Sequence, residues 1–391
     1  MKVFIKNRKG QRLAVVIEIP LKQKGVAYIM HGLGGFKEQP QIRAICKTLF
    51  ESGYAAVSFD VANTLGESGG RIEDASVTTY LEDLEDLIDW SKNQEWYQEQ
   101  FVLIGHSLGG ICTALYAEKY PEKVLALAPL STVVSGKLSL EHTPPDVLDE
   151  WKKTGWLVKE SHSKPGQFRR IPWSESVDRL KYDLLPDAEK LTMPVLLVVG
   201  EMDITTPLSD QKLLYSRLPG KKDLRIIKGA LHTFKDEDHL LRISKILQAW
   251  LQEIENELEV HDVSILLAYN EKNEILLQDR RNASKMGEKW AFFGGHLEKG
   301  EKPLTALKRE IKEELDLELD QPHFLGSFDV VAKGRFIRRH LYTTKLSEKI
   351  LKSRVGEGWN YKFFTLNEAY TKQMFSGDSR AIHLLEKYLK H

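Results

Sequence analysis

Cysteine is scarce: the 391 residues contain two, Cys46 and Cys112. So few thiols exclude a disulfide-stapled secreted scaffold, and the absence of any CxxC or Cys/His cluster argues against structural zinc. An excess of one charge is also missing, since 56 Lys and Arg balance 56 Asp and Glu. Without a global basic field, a dedicated nucleic-acid or anionic-membrane binder is not expected. Long apolar runs are lacking too. The best, Val124–Leu130 and Pro194–Val199, fall far short of the roughly 20 residues a bilayer span needs. The opening Met1-Lys-Val-Phe-Ile-Lys turns charged before a secretory core of about 7–15 apolar residues forms. These absences predict a soluble, cytoplasmic protein with no membrane or nucleic-acid partner. Oligomeric state leaves no mark in the pattern.

What is present suffices for folded cores, with 42% hydrophobic and 29% charged residues. Such a chain is too apolar to stay disordered, and its length predicts two domains. From residue 13 to about 250, short apolar runs alternate with amphipathic stretches. The runs Leu13–Ile19, Val26–Met30, Ala55–Phe59, Phe101–Ile104, Val124–Ala128, Val195–Val199 and Leu224–Ile227 read as strands. Gln39–Ser52, Thr78–Lys92, Leu108–Tyr120 and Leu208–Leu218 read as helices. That alternation predicts βαβ units and a mostly parallel sheet covered on both faces. Residues 135–190 break the rhythm with five prolines and three tryptophans, and an insertion of that size predicts a cap rather than a structureless loop. His239–Glu257 reads as a long helix, after which Val263–Tyr269 and Glu274–Gln278 read as a strand pair. The expected domains are 1–256 and 257–391. No internal repeat is present.

Gly105-His-Ser107-Leu-Gly109 follows a predicted strand and opens a predicted helix. A sharp strand-to-helix turn needs small residues two before and two after the serine, whose hydroxyl then projects at the sheet edge. A hydroxyl becomes nucleophilic only when a base takes its proton, and the expected chain order is serine, acid, histidine. Asp203, after Val195–Val199, and His232, after the next strand, fit that order. His106, His142, His162 and His239 are weaker candidates for the base, and Glu201 is a weaker acid. The oxyanion of an acyl transfer needs two amide donors, assigned to Leu108 and to Leu33 in His31-Gly-Leu-Gly-Gly35. These stretches, with Gly200-Glu-Met-Asp203 and Leu231-His-Thr-Phe234, resemble the α/β-hydrolase superfamily, most of all its feruloyl-esterase-like and monoacylglycerol-lipase-like branches. One departure follows Asp60, where Val-Ala-Asn-Thr-Leu-Gly66-Glu-Ser68 replaces the Arg-Gly or His-Gly common in such relatives.

A second constellation begins at Gly295 and Glu301 and continues into a helix bearing Arg309, Glu310, Glu313 and Glu314. Helical spacing places the three glutamates on one face, a crowding of like charge that a hard divalent cation would relieve. Arg309 and Glu301 can pair to brace loop against helix. This run resembles the Nudix box, departing from it only where Asp316 stands for the final glycine. The resemblance implies an α/β/α sandwich, a Mg²⁺ (or Mn²⁺) shell of Glu310, Glu313, Glu314 and the Gly294 carbonyl, and hydrolysis of a nucleoside diphosphate linked to another moiety. Glu357 is the candidate for a base or additional ligand. Arg280, Arg281, Arg335, Arg338 and Arg339 are candidate phosphate or base contacts, with solvated basic surface as the alternative.

The combined expectation is a bifunctional hydrolase: a Ser107–His232–Asp203 carboxylic ester hydrolase joined to a Mg²⁺-dependent Nudix hydrolase. Its alternatives are thioesterase or amidase chemistry in the first half, or one half serving as a vestigial ligand-sensing module.

Overall fold

The computed structural model describes residues 1–160, 166, 168–281, 288–332, 334–347, 361–375 and 377–390. Two compact units are present: Met1–Ser91 with Gln100–Glu257, and Lys92–Glu99 with Leu258–His391.

The first unit opens with β1 (Lys2–Lys6), β2 (Arg12–Glu18), β3 (Gly25–Met30), α1 (Pro40–Glu51), β4 (Tyr54–Asp60) and α2 (Val77–Ser91). It continues through β5 (Phe101–His106), α3 (Leu108–Lys119) and β6 (Val124–Leu130). A cap follows, made of α4 (Gly136–Glu141), α5 (Pro145–Thr154), the antiparallel hairpin β7 (Trp156–Glu160) and β8 (Phe168–Pro172), and α6 (Trp173–Arg179). Then β9 (Val195–Gly200), α7 (Leu208–Arg217), β10 (Lys222–Ile227) and α8 (Glu237–Glu257) complete the unit. The sheet order is β1-β2-β4-β3-β5-β6-β9-β10. Strands β4 through β10 along that order run parallel, and β1 and β2 are antiparallel to their neighbours.

Every residue of β3, β4, β5, β6 and β9 is buried. That is why these stretches read as continuous apolar runs and do not alternate: helices cover both faces of a parallel sheet. Helix α1 shows the complementary pattern. Its Ile42, Ile45, Cys46 and Leu49 are buried at helical spacing, and Pro40 occupies the first turn, where no amide partner is lost. Each such aliphatic side chain contributes roughly 1.5–3 kcal/mol by leaving water. Strand β1 was not expected from the sequence. Its Lys-Val-Phe-Ile-Lys pattern forms an outer strand with only Ile5 buried, where charged ends discourage further pairing.

The second unit contains β11 (Glu259–Tyr269), β12 (Ile275–Asp279), β13 (Trp290–Ala291), β14 (Phe293–His296), α9 (Pro303–Leu315), β15 (His323–Ala332), β16 (Arg335–Lys345), β17 (Tyr361–Phe364), α10 (Leu366–Tyr370) and α11 (Asp378–Leu389). Its mixed sheet runs β13-β12-β11-β16-β15, with β14 pairing β11 and β17 pairing β12. Alternation along β11 splits the core between the two faces. Leu266 and Ala268 pack with Leu307, Ile311 and Leu315 of α9, whereas Ile265 and Leu267 join Ala381, Ile382 and Leu385 of α11. The result is an α/β/α sandwich. Helix α9 ends at Asp316 in the left-handed conformation, φ 49° and ψ 34°, which Asp tolerates better than most residues.

Candidate active sites

Ser107 sits between β5 and α3 with φ 57° and ψ −118°, a conformation that L-residues rarely hold. The flanking glycines make the turn possible. A Cβ at residue 105 would lie 2.2 Å from the Gly109 carbonyl oxygen, and one at residue 109 would lie 2.5 Å from that of His31. The hydroxyl lies 2.9 Å from His232 Nε2, and His232 Nδ1 lies 2.8 Å from Asp203 Oδ2. With Asp203 ionised, Nδ1 carries the proton and Nε2 is left as acceptor for the serine hydroxyl.

Asp203 follows β9, and His232 follows β10. The loop amides of Thr205 and Thr206 donate to Asp203 Oδ1 at 2.9 and 3.0 Å. Thr206 Oγ1 lies 2.9 Å from both Asp203 Oδ2 and the Ser131 carbonyl oxygen. Burial pushes the Asp203 carboxyl up, but the His232 hydrogen bond and charge, with the Thr206 amide, outweigh it and leave it at about 2. His106, which the sequence offered only as a lesser base, instead lies 2.7 Å from the His232 carbonyl oxygen through Nε2. Burial first, then the neighbouring His232, lowers its pKa to about 3, so it serves as a neutral donor. His142 lies 2.8 Å from Asp210, and Glu201 accepts from the Gly229 amide at 2.9 Å. Neither joins the serine. Sequence reasoning missed Thr206 and the bond from His106 to His232, because both depend on which loops meet at the sheet edge.

The Leu33 and Leu108 amides donate no hydrogen bond to protein among the described residues. Gly32 lies against the nucleophile, since a Cβ there would come within 2.8 Å of Ser107 Cβ. A cavity of about 330 Å³ opens over Ser107 and His232, walled by the Gly32–Gly35 turn and by cap residues including Trp151, Leu157 and Ile171.

In the second unit, the tip of β14 faces α9. Gly294, at φ 126°, donates its amide to Glu314 Oε2 at 2.9 Å. A Cβ on Gly295 would lie 2.4 Å from the Glu310 carboxyl carbon, so this glycine leaves the carboxylate its place. Arg309 ties loop to helix through Glu301 at 3.0 and 3.2 Å, the His296 carbonyl at 3.0 Å and Glu310 at 2.8 Å. Burial raises the Glu314 carboxyl to about 7 against the Gly294 amide, and the charges of Glu310 and Glu313 add to that rise.

Glu310 and Glu314 thus both reach the Gly294–Gly295 stretch of β14. Glu313 does not join them closely: its side chain is 61% exposed and lies 3.6 Å from Arg309. Among the described residues, no three His, Cys, Asp or Glu side chains gather tightly enough to hold an ion. The donor set still suits a hard divalent cation, being all oxygen, crowded with like charge and given room by Gly295. Glu357 lies outside the described residues. Among the offered basic contacts, Arg281 pairs with Asp279, and Arg338 with Asp329 at 3.0 Å. Arg339 is no surface residue: it is buried against Asp378, between Phe328 and Phe375.

Comparison with known proteins bears on both units. Residues 22–167 match the family model described as serine aminopeptidase, S33, and residues 260–385 match that of the NUDIX domain. This chain joins an α/β-hydrolase unit to a Nudix unit. Both are families of hydrolytic enzymes. Among curated proteins, it is 28% identical over 228 residues to the mouse mitochondrial palmitoyl-protein thioesterase ABHD10, covering 56% of this chain and 73% of that one. With the rat counterpart it shares 27% identity over 190 residues, covering 48% of this chain and 61%, less than two thirds, of the relative. Among solved structures, the α/β-hydrolase unit resembles ferulic-acid-bound Est1E from Butyrivibrio proteoclasticus. That match has a TM-score of 0.56 and 21% identity, and covers 64% of this chain and 98% of that chain. Among the described residues, no helix is long and apolar enough to cross a membrane.

Proposed function

We propose that the first unit cleaves a small-molecule carboxylic ester through Ser107, His232 and Asp203, and that the second hydrolyses a nucleoside diphosphate derivative with Mg²⁺ or Mn²⁺. The observation carrying the first reading is the continuous chain from Ser107 Oγ through His232 to Asp203, at 2.9 and 2.8 Å. His232 Nε2 takes the hydroxyl proton as Oγ attacks the carbonyl carbon. The Leu33 and Leu108 amides hold the oxyanion, and Asp203 stabilises the imidazolium. His232 then returns the proton to the leaving oxygen, which departs as the alcohol and leaves an acyl-serine. Water, deprotonated by the same nitrogen, attacks the acyl carbon and releases the acid.

In the second unit, Glu310, Glu314 and the Gly294 carbonyl would hold the cation, and the exposed Glu313 would have to turn from Arg309 to join them; the cation's role when bound is to neutralise diphosphate oxygens and lower the pKa of an attacking water. Arg309 holds Glu310 and Glu301 in place, and the Gly294 amide orients Glu314.

Thioester cleavage is the second reading of the first site, favoured by the thioesterase name of the curated relatives. Comparing p-nitrophenyl esters with acyl thioesters, in wild type and Ser107→Ala, separates these readings. Equal ester rates in the two proteins would remove the nucleophile assignment. For the second unit, a nucleoside-diphosphate panel is run with Mg²⁺ and with EDTA. Activity that survives both EDTA and Glu314→Gln would overturn that reading.

A further inference from the structure

The cavity over Ser107 is lined by Lys159, Arg169 and Arg179, and among the described residues neither Asp nor Glu lines it. Arg179 is neutralised from behind, with Nη2 at 2.7 Å from both Glu175 carboxylate oxygens. The other two cations are not. Arg169 donates Nη1 to the Leu33 carbonyl at 2.9 Å, while its Nε is buried without a hydrogen-bond partner among the described residues. Lys159 makes no ion pair among the described residues.

These two residues face each other directly in the β7–β8 hairpin, Lys159 opposite Arg169, an arrangement in which like charges destabilise the pair. The Arg169 stem also crosses the glycine turn, because a Cβ on Gly34 would lie 2.6 Å from its Cδ. Burial lowers the affinity of Arg169 for its proton, whereas Lys159 is exposed to solvent although it lines the cavity, and the charges of Arg169 and Arg179 lower its own affinity. A structural role explains one bond from Arg169 to Leu33. It leaves the buried Arg169 Nε unused, and Lys159, which makes no ion pair among the described residues, stands opposite it on the wall of the same cavity.

Resting on the ester-hydrolase reading of Ser107, we propose that Lys159 and Arg169 bind an anionic group, a carboxylate or phosphate, carried by the substrate cleaved there. Arg169 offers a planar fork suited to either oxyanion, and Lys159 supplies a second point charge across the hairpin. Arg169 touches the carbonyl of Leu33, whose amide is assigned to the oxyanion. The bound anion therefore lies within a few atoms of the scissile bond, as in a short dicarboxylic half-ester or an aryl ester bearing an acid.

The test uses the full chain and three matched ester pairs. These are a p-nitrophenyl glutarate half-ester against its methyl diester, 4-acetoxybenzoate against its methyl ester, and 4-acetoxyphenyl phosphate against 4-acetoxyanisole. They place a carboxylate on the acyl side, a carboxylate on the leaving side, and a phosphate on the leaving side. Wild type should favour the anionic member of at least one pair by about ten-fold or more in kcat/KM. Lys159→Met should erase most of that ratio and Lys159→Arg should restore it. As a readout independent of turnover, glutarate or inorganic phosphate should quench or shift tryptophan fluorescence of Ser107→Ala, an effect lost when Lys159→Met is added. Ser107-dependent cleavage with ratios near one in all pairs, and no anion response, would overturn the inference while leaving the hydrolase reading intact. Cleavage unchanged in Ser107→Ala would instead defeat the reading beneath it.

Discussion

His106 Nε2 lies 2.7 Å from the carbonyl oxygen of His232. One imidazole thus fixes the backbone of the loop that presents the other. His106 neighbours Ser107 in sequence, so this bond spans the turn holding the proposed nucleophile and the loop holding its proposed base.

Replacing His106 by Phe should therefore loosen the base. The stranded His232 carbonyl should cost about 1–3 kcal/mol of stability, and kcat for ester cleavage should fall with little change in KM. His106→Gln, which retains a donor, should recover part of kcat. A Phe variant that is destabilised but keeps full kcat would show that the bond only supports the fold.

Asp203→Asn should remove the carboxylate that keeps the His232 proton on Nδ1. The loss in kcat should approach the roughly 10⁴-fold seen when a triad acid is neutralised. Because the Asp203 carboxyl is held at about 2, it stays ionised as pH falls to that value. An acid limb in the pH–rate profile well above that value therefore does not come from Asp203. An Asp203→Asn variant with unchanged kcat would contradict the assignment of Asp203 as the triad acid.

Gly295→Ala puts a methyl 2.4 Å from the Glu310 carboxyl carbon. The carboxylate must turn away, so Mg²⁺-dependent diphosphate hydrolysis should fall by about 10–100-fold, and Mn²⁺ affinity measured by titration should fall with it. Ester cleavage in the same preparation serves as the folding control. Unchanged diphosphate hydrolysis would mean that Glu310 has no part in that site.

Glu118, on α3, has Oε1 buried without a hydrogen-bond partner among the described residues. Burial, reinforced by Asp187, raises its carboxyl to about 8, against an unfolded value near 4.3 (approximate, from model peptides). The folded chain therefore keeps a proton that the unfolded chain has lost between those values. The associated stability is fully present below about pH 4 and disappears as pH rises through 8. Glu118→Gln should flatten this slope and raise stability at pH 9 by on the order of 2 kcal/mol, as read from urea midpoints. An unchanged slope would mean that the carboxylate is hydrated after all.

Legibility in the sequence followed the local character of each signal. Ser107, Asp203 and His232 each follow an apolar run, so their position at strand ends could be read before any coordinates. The runs were continuous because β5 and β9 are buried on both faces. In the second unit the strand pair of β11 and β12 was legible from its two apolar runs and polar turn, and the Arg309–Glu301 pair from the box motif. What stayed hidden was long-range. Thr206 and His106 gain their roles only where loops after different strands converge. The hairpin carrying Lys159 and Arg169 is almost wholly charged or exposed, so it lacks the half-buried alternation that announces a strand. Arg339 looked like one of several surface arginines, and only the fold brings Asp378 to it.

The backbone of Ser107 has a consequence for handling this protein in the laboratory. A left-handed φ of 57° at a residue bearing a Cβ costs on the order of 1 kcal/mol, and glycine would relax it. Directed evolution for heat resistance alone, without screening turnover, would thus tend to trade away the hydroxyl and yield sturdier but inert chains.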